Sequence, residues 1–350
     1  MLIFADSFDH YGTNTANMLA GAWAFVGIAV TLSSAQARTG TRSIRMSNNT
    51  EGGARVRRVL PGSPRSVVGT GFGVFFESLP TSSDSQGIRF RTSTSTMLSV
   101  TFQTDGSLQI FRGVPGGTII GSTDAGILTA SSFQHIEIGV GFDPIVGWVE
   151  IRVEGVTIFR IEDVDTGTSG VTVIDYGTVS TAGSPGNAML WDDIFAWDDT
   201  GTVNRDFVGP ARVLTLFADA DTEVADWSIV GASDGYAAID EVPPDGDDTH
   251  IAASDVGNKS EFTCPELPPE VVGLPAIFVP TMARIEDAGL GRIRVSMIDT
   301  ENDQVEPGPE QSLTPIYTYR DSTFQVNPET GDIWTKSRFE SARIRVEKTL

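Results

Sequence analysis

The segment Gly231-Ala232-Ser233-Asp234-Gly235 fits G-x-S-x-G, the strained turn that lifts a nucleophilic serine between a strand and a helix. Pro243-Pro244 follows too soon to leave room for that helix, so a β-turn loop is the expectation. Glu301-Asn302-Asp303-Gln304-Val305-Glu306 brings three acids close in sequence, and a retaining glycosidase needs two carboxyls about 5–5.5 Å apart. Asn302 and Gln304 between these acids are polar and Pro307-Gly308-Pro309 follows, which predicts a solvated acidic loop. Asp219, Asp221 and Glu223 alternate, and Asp245, Asp247 and Asp248 surround Gly246. Such hard oxygen donors suit Ca²⁺, and Asp192, Asp193, Asp198 and Asp199 form a third acidic group. None completes the D-x-[DN]-x-[DN]-G-x₅-E loop. Plain turns are the first reading, with Ca²⁺ as the alternative at Asp219, Asp221, Asp245 and Asp247.

His10, His135 and His250 form no H-x-H or H-x-x-x-H pair, so satisfied or exposed imidazoles are expected. No lysine stands in a Walker loop, and Gly69-Thr70-Gly71-Phe72-Gly73 lacks dinucleotide spacing. The single Cys264 excludes an intrachain disulfide framework and a cysteine-based zinc site. Trp148, Tyr176, Trp191 and Trp197 lie in or beside strand-like segments, where a ring either fills a core or offers a sugar a stacking face. Core packing is the first reading, and Trp148, Tyr176 and Trp191 are the candidate ligand contacts. Arg55, Arg57 and Arg58 form a basic island, read as a contact for an acidic neighbour or as a solvated strand edge.

Period-two alternation positions these residues. It marks Ser43–Met46, Gly71–Leu79, Gly87–Arg91, Leu98–Gln103, Ser107–Phe111, Phe133–Phe142 and Gly147–Ile161 as strands. Asp105-Gly106 between two alternating runs predicts a hairpin. Helical periodicity is confined to two short candidates, Thr15–Leu19 and Thr335–Ala342. Beyond the Gly209-Pro210 segment, further strands are predicted at Val213–Ala218, Trp227–Val230, Glu261–Thr263, Ala276–Glu286, Ile293–Ile298, Thr314–Tyr319 and Ile344–Glu347.

The chain has 350 residues, 46 acidic against 24 basic, and a net charge of −22. That acid excess repels a phosphate backbone, which argues against nucleic acid as a partner. Residues 1–200 hold 12 basic and 19 acidic side chains, and residues 201–350 hold 12 and 27, an asymmetry suited to two modules. The uncharged stretch from Tyr11 to Ala37 is most apolar over Leu19–Leu32, shorter than the roughly 20 residues of a membrane span. Membrane insertion is therefore not expected, and the acidic N-terminus argues against a signal peptide. No fixed-period repeat is present.

Phe8-Asp9-x-Tyr11, Gly40-Thr41-Arg42-Ser43-Ile44-Arg45, Thr104-Asp105-Gly106-Ser107-Leu108, Val153-Glu154-Gly155-Val156 and Trp191-Asp192-Asp193-Ile194 occur in an order that resembles a laminin-G/concanavalin-like jelly roll over about residues 1–200. Such domains often hold calcium in their loops, but no ligand set here matches well enough to carry over. The E-x-D-x-x-E spacing is similar to laminarinase-type jelly-roll glycanases, whose intervening residues are apolar. Asp199-x-Gly201, Asp206-Phe207-x-Gly209-x-x-Arg212-Val213, the DGDDTHIAAS loop from Asp245 and the Asn327–Thr335 segment are similar to structural proteins of tailed bacteriophages.

The expectation is an all-β chain of two β-sandwich domains: a concanavalin-like jelly roll over 1–202, a linker over 203–212, and a second antiparallel β domain over 213–350. The resemblance implies a non-enzymatic virion protein, made in the host cytoplasm without a signal peptide. It would be an exposed tail or fibre component acting in attachment or host-glycan binding, with other virion proteins and further copies of itself as partners. The alternatives are a head-surface decoration or purely structural fibre protein, and a jelly-roll glycanase. No catalytic residue and no cofactor other than Ca²⁺ is expected.

Overall fold

A computed structural model describes the whole chain except residues 48–52, 63, 169, 180–187, 287–288 and 302–303. It divides into two compact units, Met1–Leu214 and Thr215–Leu350.

The first unit contains strands β1 (Leu2–Asp6), β2 (Phe25–Val26), β3 (Val30–Ser33), β4 (Ser43–Met46), β5 (Arg55–Val59), β6 (Val67–Phe76), β7 (Gln86–Arg91) and β8 (Thr96–Phe102). They are followed by β9 (Leu108–Arg112), β10 (Thr118–Ser122), β11 (Phe133–Gly141), β12 (Gly147–Val153), β13 (Val156–Val164), β14 (Val173–Thr178) and β15 (Met189–Asp198). One sheet has eight strands in the order β13-β12-β11-β6-β15-β4-β3, with β1 also pairing β15. The other has seven, β10-β9-β8-β7-β14-β5-β2. Every named strand pair is antiparallel, and the two sheets form the expected jelly-roll sandwich. The Asp105-Gly106 turn joins β8 to β9, with Gly106 at φ 79°, as its hairpin required. The single run 147–161 is broken by a turn in which Glu154 and Gly155 both take positive φ.

Alternation along β6 shows how the layers form. Val68, Phe72, Val74 and Phe76 are buried, and Phe72 meets Trp191 and Tyr176 between the sheets. On the opposite side Gly69, Gly71 and Gly73 leave room for Trp197, Phe195 and Arg38, each of which lies where a β-carbon would stand. The short helix α1 (Ala16–Ala20) occupies the first helical candidate.

In the second unit a six-stranded sheet has the order Ala220–Ala225, Lys259–Thr263, Arg343–Lys348, Arg292–Asp299 and Gln304–Pro307, and Gln311–Ser312 also pairs Arg292–Asp299. A ribbon of Ile277–Ala283 with Thr318–Phe324 and two shorter pairs complete it. Phe262, Val295, Met297 and Val346 of the large sheet share one core with Ile277, Phe324, Trp334 and Phe339. The helix α2 (Lys336–Ser341) matches the second candidate, capped by Thr335, whose hydroxyl accepts from the Arg338 amide.

Two predicted strands are corrected. Val213–Ala218 is not a strand, and the Val213 amide donates to an Asp193 carboxylate oxygen instead of a neighbouring strand. The strand placed at Thr314–Tyr319 begins at Thr318, because Pro315 cannot donate to a ladder.

Candidate ligand-binding site

The two outer faces of the first unit differ in what covers them. Across the eight-stranded sheet, residues 207–213 lie as a strap on the protein, so the expected linker 203–212 belongs to the first unit. The Val208 and Gly209 amides donate to Glu137 at 2.8 and 2.9 Å, and the Trp197 indole donates to the same carboxylate at 2.9 Å. Phe207 packs on Trp197, with the Arg152 guanidinium over its ring.

The strap is anchored at a β-bulge. β15 uses seven residues from Trp191 to Trp197 where β6 uses six, Val74 to Gly69. The bulge turns Asp192 and Asp193 onto one loop. Asp192 accepts from the Arg38 and Thr39 amides, and Asp193 accepts from the Arg38 guanidinium at 2.7 Å and from the Val213 amide at 2.9 Å. Arg38 also donates to the carbonyls of Pro210 and Ala211. Burial, reinforced by the Asp193 charge, pushes the Asp192 carboxyl up to about 8. Burial likewise raises Glu137. His135 stacks on Phe195, and burial, reinforced by the Arg38 charge and only partly offset by a hydrogen bond with the Gly209 backbone, lowers its pKa to about 3. It is therefore a neutral core residue, not an exposed one.

The outer face of the seven-stranded sheet is basic. Arg57, Asp175 and Arg89 stand in one cross-strand row of β5, β14 and β7, and Arg55 and Arg91 lie one step to either side on the same face. Arg57 donates to both Asp175 oxygens, at 2.6 and 3.1 Å. Arg89 and Arg91 donate at 3.0 and 3.2 Å, and Arg55 stands at 3.8 Å, stacked over Phe25. Among the described residues Asp175 is the only carboxylate these four arginines meet. Asp175 is fully buried, while the side chains of Arg55, Arg57 and Arg91 keep 18, 25 and 15% of their exposure.

Burial works to raise the Asp175 pKa, but the hydrogen bond from Arg57 and the charges of Arg89 and Arg55 outweigh it and hold it low. Burial also lowers Arg89, to about 10, against the pull of Asp175. The Nε atoms of Arg55, Arg89 and Arg91 are buried with no acceptor. A shallow depression lined by Val59, Pro64, Thr92, Ser93 and Val173 adjoins the Arg91 row.

The residues singled out from the sequence are not brought together. Trp191 and Tyr176 are fully buried between the sheets, where Trp191 packs on Phe72 and Phe102, so as ligand contacts both are corrected to core. Trp148 is half-buried on the outer face of the eight-stranded sheet and covers Gly141. No group of three or more His, Cys, Asp or Glu side chains among the described residues is arranged to hold a metal. Asp219 accepts from Thr263, Asp221 from the Gly235 and Tyr236 amides, Asp245 from Thr249, and Asp247 from Arg284 and Tyr317.

Ser233 is in the expected turn and donates to Asp234. Asp303 lies outside the described residues. Glu301 pairs with Arg338, whereas Glu306 sits on a strand, not in a loop, with burial raising its pKa to about 7. Arg55 and Arg57 face the basic surface, but Arg58 points the other way, over Phe4 and onto the Ala22 carbonyl. Arg89, Arg91 and Asp175 were missed. The alternation of Arg89 and Arg91, like that of Arg55 and Arg57, is the signal that marks them.

No protein-family model and no curated protein matches the sequence. Similar solved structures include an endo-β-1,4-glucuronan lyase from the fungus Trichoderma reesei, 15% identical with a TM-score of 0.42, covering 61% of this chain and 100% of that one. Alginate lyase Aly36B is 14% identical with a TM-score of 0.38, over 55% of this chain and 95% of that one. The receptor-binding domain of botulinum neurotoxin type G is 10% identical with a TM-score of 0.40, over 97% and 84%.

Proposed function

We propose that the chain is a non-enzymatic, exposed component of a tailed-phage virion, of tail or fibre type, which attaches to the host surface by holding a glycan on the outer face of the seven-stranded sheet. The observation that carries the binding role is the open basic face, four arginines around one carboxylate in a chain of net charge −22. Guanidinium groups at neutral pH hold and orient a ligand but neither give nor take a proton, which favours binding over catalysis. The virion assignment rests on the aromatic and turn motifs at 199–213, 245–254 and 327–335. Among the described residues no helix is long and apolar enough to cross a membrane.

The test has two parts. Quantitative mass spectrometry of purified particles, with antibody labelling under the electron microscope, should find a few copies at the tail or its fibres. The purified chain should bind host envelope fragments. Tens to hundreds of copies over the head would replace attachment with decoration, and absence from particles would overturn the virion reading.

A further inference from the structure

We infer that the Arg55, Arg57, Arg89 and Arg91 cluster is a site for an acidic saccharide, taking its carboxylate or sulfate group, with Asp175 serving as an internal counter-ion that leaves most of the charge unmet. The inference rests on the proposed adhesive role of this face and names the class of ligand.

Asp175 has two oxygens with about four lone-pair directions, and three guanidinium groups already donate to them. Arg55 is left within ion-pair distance of Asp175 but without a hydrogen bond to it. Among the described residues, four cations against one anion leave three positive charges on this patch. Arg89 is about nine-tenths buried with its Nε unpartnered, and the Nε atoms of Arg55 and Arg91 are in the same position. Buried polar groups are normally satisfied, and charge held out of water is costly unless paired. The chain keeps the cluster nonetheless, with three guanidinium groups partly open to solvent on one face.

Planar forks of this kind match carboxylate and sulfate oxygens bidentately. Arg55 and Arg91 stand two residues to either side of the Arg57–Asp175–Arg89 row, so an oxyanion above Asp175 would lie between them. The shallow depression beside Arg91, with Val59 and Val173 in its wall, provides an apolar surface for the adjoining sugar ring. Neutral sugars would leave the charge unanswered.

The experiment is calorimetric titration of the full chain with four defined probes: an oligogalacturonate, a sulfated oligosaccharide, a neutral dextran oligomer and inorganic sulfate. At least one acidic oligosaccharide should bind with an affinity that falls as salt rises above about 0.15 M, with dextran silent. Arg55→Gln and Arg91→Gln should each weaken it about ten- to a hundredfold. Should Arg91→Gln unfold the unit, Arg91→Lys keeps the charge and loses the fork, and retained thermal stability with weakened binding supports the site. Whichever acidic probe binds decides between carboxylate and sulfate.

Inorganic sulfate binding as tightly as the oligosaccharides would reduce the site to a simple ion site and overturn the saccharide inference. Binding untouched by both arginine replacements would overturn it as well. The two readings fail separately: envelope binding that no acidic oligosaccharide competes for removes this inference and leaves adhesion standing. Acidic oligosaccharide binding at the cluster, in a chain that binds no envelope, removes adhesion and leaves the site.

Discussion

Replacing Asp193 with alanine tests the anchor of the strap. The Asp193–Arg38 pair is at 2.7 Å, with 0 and 8% of the two side chains exposed. Removing the carboxylate leaves a buried guanidinium, and breaking such a pair costs about 3–5 kcal/mol. The Val213 amide and the Thr39 hydroxyl lose their acceptor in the same step. Against a total stability of about 5–15 kcal/mol that is a large fraction, and in a unit of this size it lowers Tm by about 6–20 °C. Arg38→Met should cost a comparable amount by leaving Asp192 and Asp193 facing each other without a cation.

The double variant carries neither orphaned charge, so its loss should fall short of the sum of the two by about 2 kcal/mol. Urea unfolding of the full chain followed by tryptophan fluorescence measures this, since Trp23, Trp191 and Trp197 are buried in the first unit, and only the transition of that unit should move. Losses that add within about 0.5 kcal/mol would show that the two groups do not act as a pair, and the account of the strap would fall with them.

A chain ended at residue 202, the boundary expected from sequence, should unfold at a lower urea concentration than one ended at 214, because Glu137, Asp193 and Arg38 lose their strap partners; equal midpoints would contradict this. The Asp192 carboxyl has a folded pKa above its unfolded value, so the folded state binds more protons. Its stabilising contribution is full below about pH 4 and is lost as pH rises through about 8. The first transition should accordingly weaken by about 1 kcal/mol between pH 7 and 9, and a flat or rising profile in urea titrations would count against it. Cys264, raised to about 11 by burial and by the Asp219 charge, should react with a disulfide reagent on the order of a hundredfold more slowly than a free thiol at pH 8. Rapid labelling of the folded chain would refute that.

The sandwich was legible because alternation is local. The cleanly alternating strands β4, β6 to β9 and β11 to β13 announce themselves within their own residues, and Asp105-Gly106 announces its turn, whereas β1, β2, β3, β5, β10 and β14 were not marked. The directions of particular side chains were not. Trp191 and Trp197 are six residues apart, which in a regular strand puts both on one face. The bulge at Asp192–Asp193 sends one into the core and the other under the strap, and nothing in WDDIFAW marks the extra residue. The strap itself has no periodicity, since it is held through amides by Glu137, a partner 71 residues away. The basic site was half visible. Arg55 and Arg57 showed as an island, but Arg89 and Asp175 join them only because β14 inserts between β5 and β7, a neighbour relation that no local pattern carries.

The unequal charge of chain and patch also sets the kinetics of any polyanion that approaches. At low ionic strength, where the screening length is about 30 Å, the field of a −22 molecule turns such a partner away before it senses the arginines. Near 0.15 M the range shrinks to about 8 Å, and local attraction outlasts global repulsion. Added salt therefore quickens encounter while it shortens residence, so affinity plotted against salt passes through a maximum. A positively charged protein with the same cluster would show only a decline.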